Sequence, residues 1–449
     1  MIKLYNSKTR KKENFKPLEE KVRLYTCGPT VYDYAHIGNL RTYIFEDTLK
    51  RVLKYNGYEV NHVMNITDVG HLVSDDDSGE DKVEKKAREE SKDAWELTEF
   101  YTEQFKKDID ALNIKKPDIF VKATETIEDQ INLVKKLEEK GYTYKIEDGI
   151  YFNTSKLKDY GRMANLDERE AGKRVEMKGK KNPTDFALWK FSRPDENRQM
   201  EWSSPWGVGF PGWHTECVVM AKENLGIPFD IHCGGIDHVE IHHPNEIAQS
   251  KAAYGKEPAN FWMHGEFLNI KEEKMSKSKG NFHTLSDITK DYPPLAYRYL
   301  CLNSHYRSKM NFSEEALNGA NNSLKKMKER VADLPEKSKV SKKYKKEFLA
   351  AINDDLNTPQ ALKVAWNMLK DNDLDSKIKK ATIIDFDKVL GLNLTKKEAV
   401  PEKVKELAEK RMTSRESKNY KKADKLRNEI NELGYEVEDI KDGYKLKKI

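Results

Sequence analysis

Two segments of this 449-residue chain carry residues suited to gripping phosphate. The first is His36-Ile37-Gly38-Asn39, which follows Gly28-Pro29-Thr30 and precedes an apolar stripe with helical spacing. Backbone N–H groups at a helix start lack intrahelical partners and attract anions. Gly38 lets a nucleotide approach the backbone closely, and His36 and Asn39 supply donors. The second segment is Lys274-Met275-Ser276-Lys277-Ser278-Lys279-Gly280-Asn281. Three lysines and two serines in six residues, closed by Gly280, make a cationic loop able to fold over a triphosphate. Each segment alone also fits a plain surface turn. Both together, far apart and in this order, point to an ATP site.

A second constellation has the chemistry of a metal site. Cys27 ends an expected strand, and Cys217 follows Gly212-Trp213-His214-Thr215-Glu216. His242 and Glu246 are four residues apart and share a face if their stretch is helical. Two thiolates, a nitrogen and a carboxylate suit zinc. Spacing alone leaves another reading open, in which Cys27 and Cys217 are small buried hydrophobes and His242 a satisfied core histidine. The neighbouring Cys233 and His243 are not counted as ligands.

These residues need a scaffold. Residues 22–26 and 58–66 read as strands flanking a helix from about Leu40 to Asn56-Gly57, a β-α-β unit that starts a parallel sheet. Residues 75–92 are strongly charged and read as surface chain. Residues 93–140 look helical, and 145–200 look like an insertion of short strands and charged loops. Strand character returns at 267–270. From Ser286 onward the pattern is mostly helical, with 335–346 as a linker candidate. The tail shows an amphipathic helix through Leu426, Ile430 and Leu433, a cap at Gly434, and a hairpin around Asp442-Gly443.

Composition narrows the setting. Lys and Arg number 81 against 76 Asp and Glu, so the net charge of +5 says less than where the charges lie. No run of eighteen apolar residues occurs, which excludes a transmembrane helix, and the polar first residues lack a secretory signal. Four widely spaced cysteines do not form a disulfide framework. A cytoplasmic setting follows.

The two phosphate-gripping segments resemble the signatures of class I aminoacyl-tRNA synthetases. The second is intact, whereas Asn39 stands where that class usually has histidine. The segments around Cys27, from Gly212 to Cys217 and from His242 to Ser250 resemble the zinc site of cysteinyl-tRNA synthetases, and the similarity runs nearly end to end. Pro244 replaces an acidic residue common in bacterial members.

The resemblance implies a Rossmann-like α/β catalytic domain in two halves, 1–100 and 201–270, split by an insertion at 101–200. A signature-loop and tRNA stem-contact region at 271–312, a helical bundle at 313–395 and an anticodon-binding domain at 396–449 would follow. It implies His36, Asn39, Lys274 and Lys277 as catalytic residues, and Gly28, His36, Gly38, Asn39 and Lys277 on ATP. Thr67, Trp213, His232 and Asp237 would line the amino-acid pocket, with Asp237 facing the ammonium. Cys27, Cys217, His242 and Glu246 would hold one zinc ion per subunit. Partners would be tRNA(Cys), cysteine and ATP with Mg²⁺, and the chain would act as a monomer without a membrane.

Zinc would have a reason to be there. Cysteine and serine are near-isosteres, which a shape-based pocket separates by roughly a hundredfold. A zinc-bound thiol is deprotonated outright. With four protein ligands present, a substrate thiolate would have to add a fifth or displace one, Glu246 being the easier to loosen. In the tail, Arg411, Arg415, Lys418, Lys421, Lys422, Lys425 and Arg427 cluster around Tyr420. This suits a single-stranded RNA loop, or equally a solvated helix face. The family's terminal tryptophan is absent. Two rival functions share the first half-reaction or the fold: a ligase passing cysteine to an amino sugar, and a catalytically silent RNA-binding paralogue. The basic tail argues against the first and the intact lysine loop against the second.

Overall fold

Val22 and Leu24 are fully buried on a strand, β1 (Lys21–Thr26), which becomes the centre of a five-stranded parallel sheet. The computed structural model describes all residues except 71–80, 165–178, 194–197, 271–272, 275–281, 337, 397–400, 441–442 and 449; for 273, 274, 447 and 448 it describes the backbone alone. After β1 the chain forms α1 (Ile37–Tyr55) and returns as β2 (Glu59–Ile66) beside it. It then reaches the edge as β3 (Ile119–Lys122). Far later in sequence, β4 (Phe229–Gly235) pairs with the opposite side of β1, and β5 (Ala259–Gly265) pairs with β4. The spatial order is therefore β5-β4-β1-β2-β3. The order reverses between β1 and β4, and the crevice at their carboxyl ends is where open α/β sheets bind ligands.

Apolar and β-branched residues recur through both β1 and β2, Val22, Leu24 and Tyr25 in the first and Val60, Val63, Met64 and Ile66 in the second, which is why these strands are visible in the sequence. β3 is not. Residues 93–140 contain helices Ala94–Ala111 and Ile127–Glu139, but β3 lies between them. Pro117 disfavours helix just before it, and Ile119, Phe120 and Val121 favour a pleat. Periodicity on both sides hid four residues of strand. The charged stretch at 75–92 also holds more order than expected: its described part contains a helix, Lys82–Glu90, whose first N–H groups are capped by Asp81.

Two helices complete the crevice, α2 (Trp213–Leu225) and α3 (His242–Tyr254). Between β3 and α2 a second, antiparallel sheet is built from Thr143–Ile146, Gly149–Phe152, Phe186–Phe191 and Gly209–Pro211. Past β5, β6 (Leu268–Ile270) pairs with β7 (Glu273–Lys274) and with β8 (Met310–Phe312). A helical region follows. The linker expected at 335–346 is shorter, because Ser341 caps a helix over Lys342–Ile352. Among the described residues no helix is long and apolar enough to cross a membrane.

Residues Thr395–Ile449 form a separate compact unit. Its helices Glu402–Glu416 and Tyr420–Glu432 pack with a hairpin of Tyr435–Ile440 and Gly443–Lys448 around Val404, Ala408, Ile430 and Val437. Gly434 takes the positive φ of +79° that ends the second helix. Leu426 and Ile430 are buried, but Leu433 is exposed. Arg411, expected among the surface cations, is instead buried and donates to both oxygens of Asp439, which Arg415 also meets. Lys418, Lys421, Lys422, Lys425 and Arg427 remain exposed.

One buried pair ties the first unit together. Arg298, on α4 (Pro294–Leu302), is fully buried and donates to Asp47 of α1 at 2.5 Å and to the carbonyls of Leu390 and Leu112. Asp47 also accepts from Arg51 at 2.7 Å. Burial alone would raise the Asp47 carboxyl, but the two guanidinium groups outweigh it and hold it below the usual range. Removing one partner of such a pair is strongly destabilising. Arg298→Ala should lose about 3–5 kcal/mol in urea unfolding at neutral pH. A depressed folded-state value stabilises above the unfolded pKa of about 4. The deficit of Arg298→Ala should therefore shrink as pH falls through the lower folded value. An unchanged unfolding midpoint would contradict this.

Candidate active site

A cleft of about 570 Å³ opens at the carboxyl ends of β1 and β4. It runs from Cys27, Cys217 and His242 at one end to His36, Gly38 and Asn39 at the other.

At the His36 end the geometry follows from helix capping. His36 has extended backbone and is the N-cap of α1. Its Nδ1 accepts from the Asn39 N–H at 3.1 Å, and Asn39 Oδ1 accepts from the His36 N–H at 3.3 Å, a reciprocal capping box. With Nδ1 accepting, a neutral ring carries its proton on Nε2. A Cβ on Gly38 would lie 2.9 Å from the His36 ring, so glycine lets the ring fold back over the helix start. Gly28 is needed for another reason: its Cβ would sit 1.7 Å from the carbonyl oxygen of Asn65.

Met275, Ser276, Lys277 and Ser278 lie outside the described residues, as does the Lys274 side chain. The flanks are described. Lys274 pairs with Asn269 on β6, whose Leu268 lines the cleft. On the exit side the Ile37 N–H donates to the His283 carbonyl at 2.8 Å, and Thr284 bridges His36. Both ends of the lysine segment are thus anchored beside the start of α1.

At the other end Cys27, Cys217, His242 and Glu246 place one ligand atom each within 4.8 Å of one another, all buried. Cys27 stands one residue past β1, Cys217 on α2, and His242 and Glu246 one turn apart on α3. A second set, Cys27, His232, His243 and Glu246, meets the same distance test. The cleft distinguishes them: Cys217 and His242 line it, while His232 and His243 do not.

The surroundings orient the ligand atoms. His242 Nδ1 is 2.8 Å from His214 Nδ1, which leaves Nε2 toward Glu246. His232 Nε2 is 2.8 Å from Glu246 Oε2, which leaves Oε1. Oε1 lies 3.0 Å from His242 Nε2 yet lacks a hydrogen-bonding alignment. Two ligands of one tetrahedral ion stand in this way. The electrostatics agree. The Cys27 contact, against burial and aided by His242, brings the Cys217 thiol down to about 6. Burial pushes His242 down, but Cys217 and Glu246 outweigh it and lift the ring to about 10. Burial would raise Glu246, yet His232 and His242 hold it below the usual carboxylate range. Cys27 is pushed well up by burial. Anions gathered around an imidazolium in a dry pocket form a donor set that a cation stabilises.

The remaining sequence-predicted residues divide. Thr67, Trp213 and Asp237 line the cleft. The Trp213 ring lies 4.6 Å from that of His242. His232 is fully buried behind Glu246 and stacks on Trp262. Cys233 is buried on β4 and belongs to neither ligand set. Sequence reasoning gave no role to His214, although it shares a face of α2 with Cys217 three residues on. It also passed over Glu216, which no spacing marked.

Comparison with known proteins is consistent along the whole chain. Residues 14–322 match the family model described as the catalytic domain of class I (C) tRNA synthetases. The chain is 48% identical over 454 residues to cysteine–tRNA ligase 1 of Burkholderia lata, covering 99% of this chain and 96% of that one. It is 43% identical over 480 residues to the cysteine–tRNA ligase of Treponema denticola, covering 98% of each. Among solved structures, methionyl-tRNA synthetase of Mycobacterium tuberculosis superposes with a TM-score of 0.55 over 83% of this chain and 90% of that one. At 16% identity this shows a shared fold.

The Gly28 contact makes a direct test of the cleft. Gly28→Ala forces a methyl against backbone and should destabilise the protein by about 1–3 kcal/mol. Gly319→Ala is the control: nothing lies near its Cβ inside helix Glu314–Ala332, so it should be neutral or stabilising by up to about 1 kcal/mol. Equal thermal midpoints for the two variants would contradict the packing described.

Proposed function

The chain belongs to the cysteinyl-tRNA synthetase family of class I aminoacyl-tRNA synthetases and ligates cysteine to tRNA, and on that premise we propose that Cys27, Cys217, His242 and Glu246 hold one zinc ion that selects the amino acid. The observation that carries this reading is the orientation of His242 and Glu246 from behind, by His214 and His232. Partners of this kind fix the tautomer and direction of metal ligands. Bound there, zinc supplies a Lewis acid that takes a thiol as thiolate and leaves a serine hydroxyl unrecognised.

The chain's own residues do the rest. Trp213 walls the pocket beside His242, and Asp237 and Thr67 face the substrate ammonium. His232 acts through Glu246 rather than by touching substrate. ATP lies toward the other end of the cleft, where Gly28 and Gly38 admit it to the backbone. His36, through Nε2–H, and Asn39 serve the phosphates, and Lys274 and Lys277 close over them together with Mg²⁺. The anchoring of the loop's flanks beside α1 supports that closure. The cysteine carboxylate then attacks the α-phosphate, pyrophosphate departs, and the cysteinyl group passes to the terminal ribose of tRNA(Cys). Positioning and electrostatics account for the rate.

The same reading assigns 1–100 and 201–270 to the catalytic halves, 101–200 to the insertion and 271–312 to the stem-contact region. Residues 313–395 form the helical bundle, and 396–449 read the anticodon through Lys418, Lys421, Lys422, Lys425 and Arg427 around exposed Tyr420. The enzyme works as a cytoplasmic monomer.

Cysteine-dependent pyrophosphate exchange tests the zinc assignment. Purified enzyme should carry one zinc and exchange with cysteine but not serine. Cys217→Ala should lose both metal and exchange. His214→Phe should keep the fold and bind zinc about 10–100-fold more weakly. Full exchange in zinc-stripped enzyme would contradict the assignment.

A further inference from the structure

Behind the cleft wall a chain of hydrogen bonds runs from a backbone amide to a buried carboxylate. The Gly28 N–H donates to Asn65 Oδ1 at 2.8 Å. That bond fixes which way the Asn65 amide points, so its Nδ2 donates to Thr67 Oγ1 at 3.0 Å. Thr67 Oγ1 in turn donates to Glu216 Oε2 at 3.2 Å. Asn65, Thr67 and Glu216 are 2%, 1% and 0% exposed, so bulk water does not loosen the order. The backbone of Thr67 is committed as well: its N–H donates to the Pro29 carbonyl at 3.0 Å, and its carbonyl accepts from the Val31 N–H at 3.1 Å.

A hydroxyl has one proton and two lone pairs. In Thr67 the proton goes to Glu216 and one lone pair takes the Asn65 proton. What remains is a single lone pair on a residue that lines the cleft. We propose that Glu216 is a specificity-positioning residue: by taking the Thr67 proton from behind, it makes Thr67 a pure acceptor toward the cleft, matched to the ammonium of the substrate. Glu216 does not itself line the cleft. It acts through Thr67, whose hydroxyl proton it accepts. A thiol compound lacking the amino group gains nothing from this arrangement. The chain therefore reads the second functional group of cysteine, while the metal-ligand set reads the first. This rests on the zinc reading of the preceding subsection.

The test uses the zinc-loaded full-length enzyme and calorimetric binding of two ligands, L-cysteine and 3-mercaptopropionate, which is cysteine without its amino group. Glu216→Leu removes the acceptor and should weaken cysteine about 10–100-fold, the range for a hydrogen bond to a charged group. Binding of 3-mercaptopropionate and the zinc content should stay as in wild type. Glu216→Gln keeps an acceptor oxygen and should recover most of the loss. Equal weakening of both thiols by Glu216→Leu would show a structural role and overturn the proposal, as would unchanged cysteine binding. If Glu216→Leu does not fold, Thr67→Val carries the same comparison at the acceptor, with the same two overturning results. Failure of the zinc reading would look different: the wild-type enzyme would bind neither thiol any better after zinc loading than before.

Discussion

Burying two sulfurs, an imidazole and a carboxylate within 4.8 Å of one another is the constraint that the rest of the site answers. A dry pocket penalises unpaired charge heavily, so such groups persist only when paired or bound to a cation. Here the candidate ligand atoms come from three elements that the chain assembles over more than two hundred residues: the end of β1, the second turn of α2 and the start of α3. They meet because the sheet reverses its order between β1 and β4, which opens a crevice at their carboxyl ends.

The same crevice joins two kinds of recognition. At one end stands a compact donor set with its own supporting histidines. At the other stands the start of α1, capped by His36 and Asn39. One cleft spans both, with Cys27, Cys217 and His242 lining one end and His36, Gly38 and Asn39 the other. The short connection from Cys27 to His36 sets that spacing. Gly28 is indispensable in it, since it packs against the Asn65 carbonyl while its N–H starts the hydrogen-bond chain through Thr67 to Glu216.

Much of this was legible in the sequence, for identifiable reasons. The strands on either side of α1 carry recurring β-branched and apolar residues that end at turn signals, so they stand out. Cys27, Cys217, His242 and Glu246 carry metal-binding chemistry, and His242 and Glu246 share a helical face. What stayed hidden depends on contacts across the fold. β3 is four residues long between two helices and betrays itself only through Pro117 and the β-branched pair around Phe120. His232 read as a pocket residue, yet its hydrogen bond to Glu246 places it behind that carboxylate. Arg411 read as one more surface cation until the hairpin brought Asp439 against it. Asn39 stood where histidine is usual; in the fold its side chain accepts from the His36 N–H while its own N–H donates to His36 Nδ1 and sets that ring's tautomer.

The central claim is that the buried donor set recognises cysteine through its sulfur. Zinc K-edge X-ray absorption on the purified enzyme, with and without cysteine, measures this most directly. The ligand set described here gives two sulfur scatterers, from Cys27 and Cys217, and a third when cysteine binds, with serine leaving the spectrum unchanged. A sulfur shell that does not grow on adding cysteine would contradict the account.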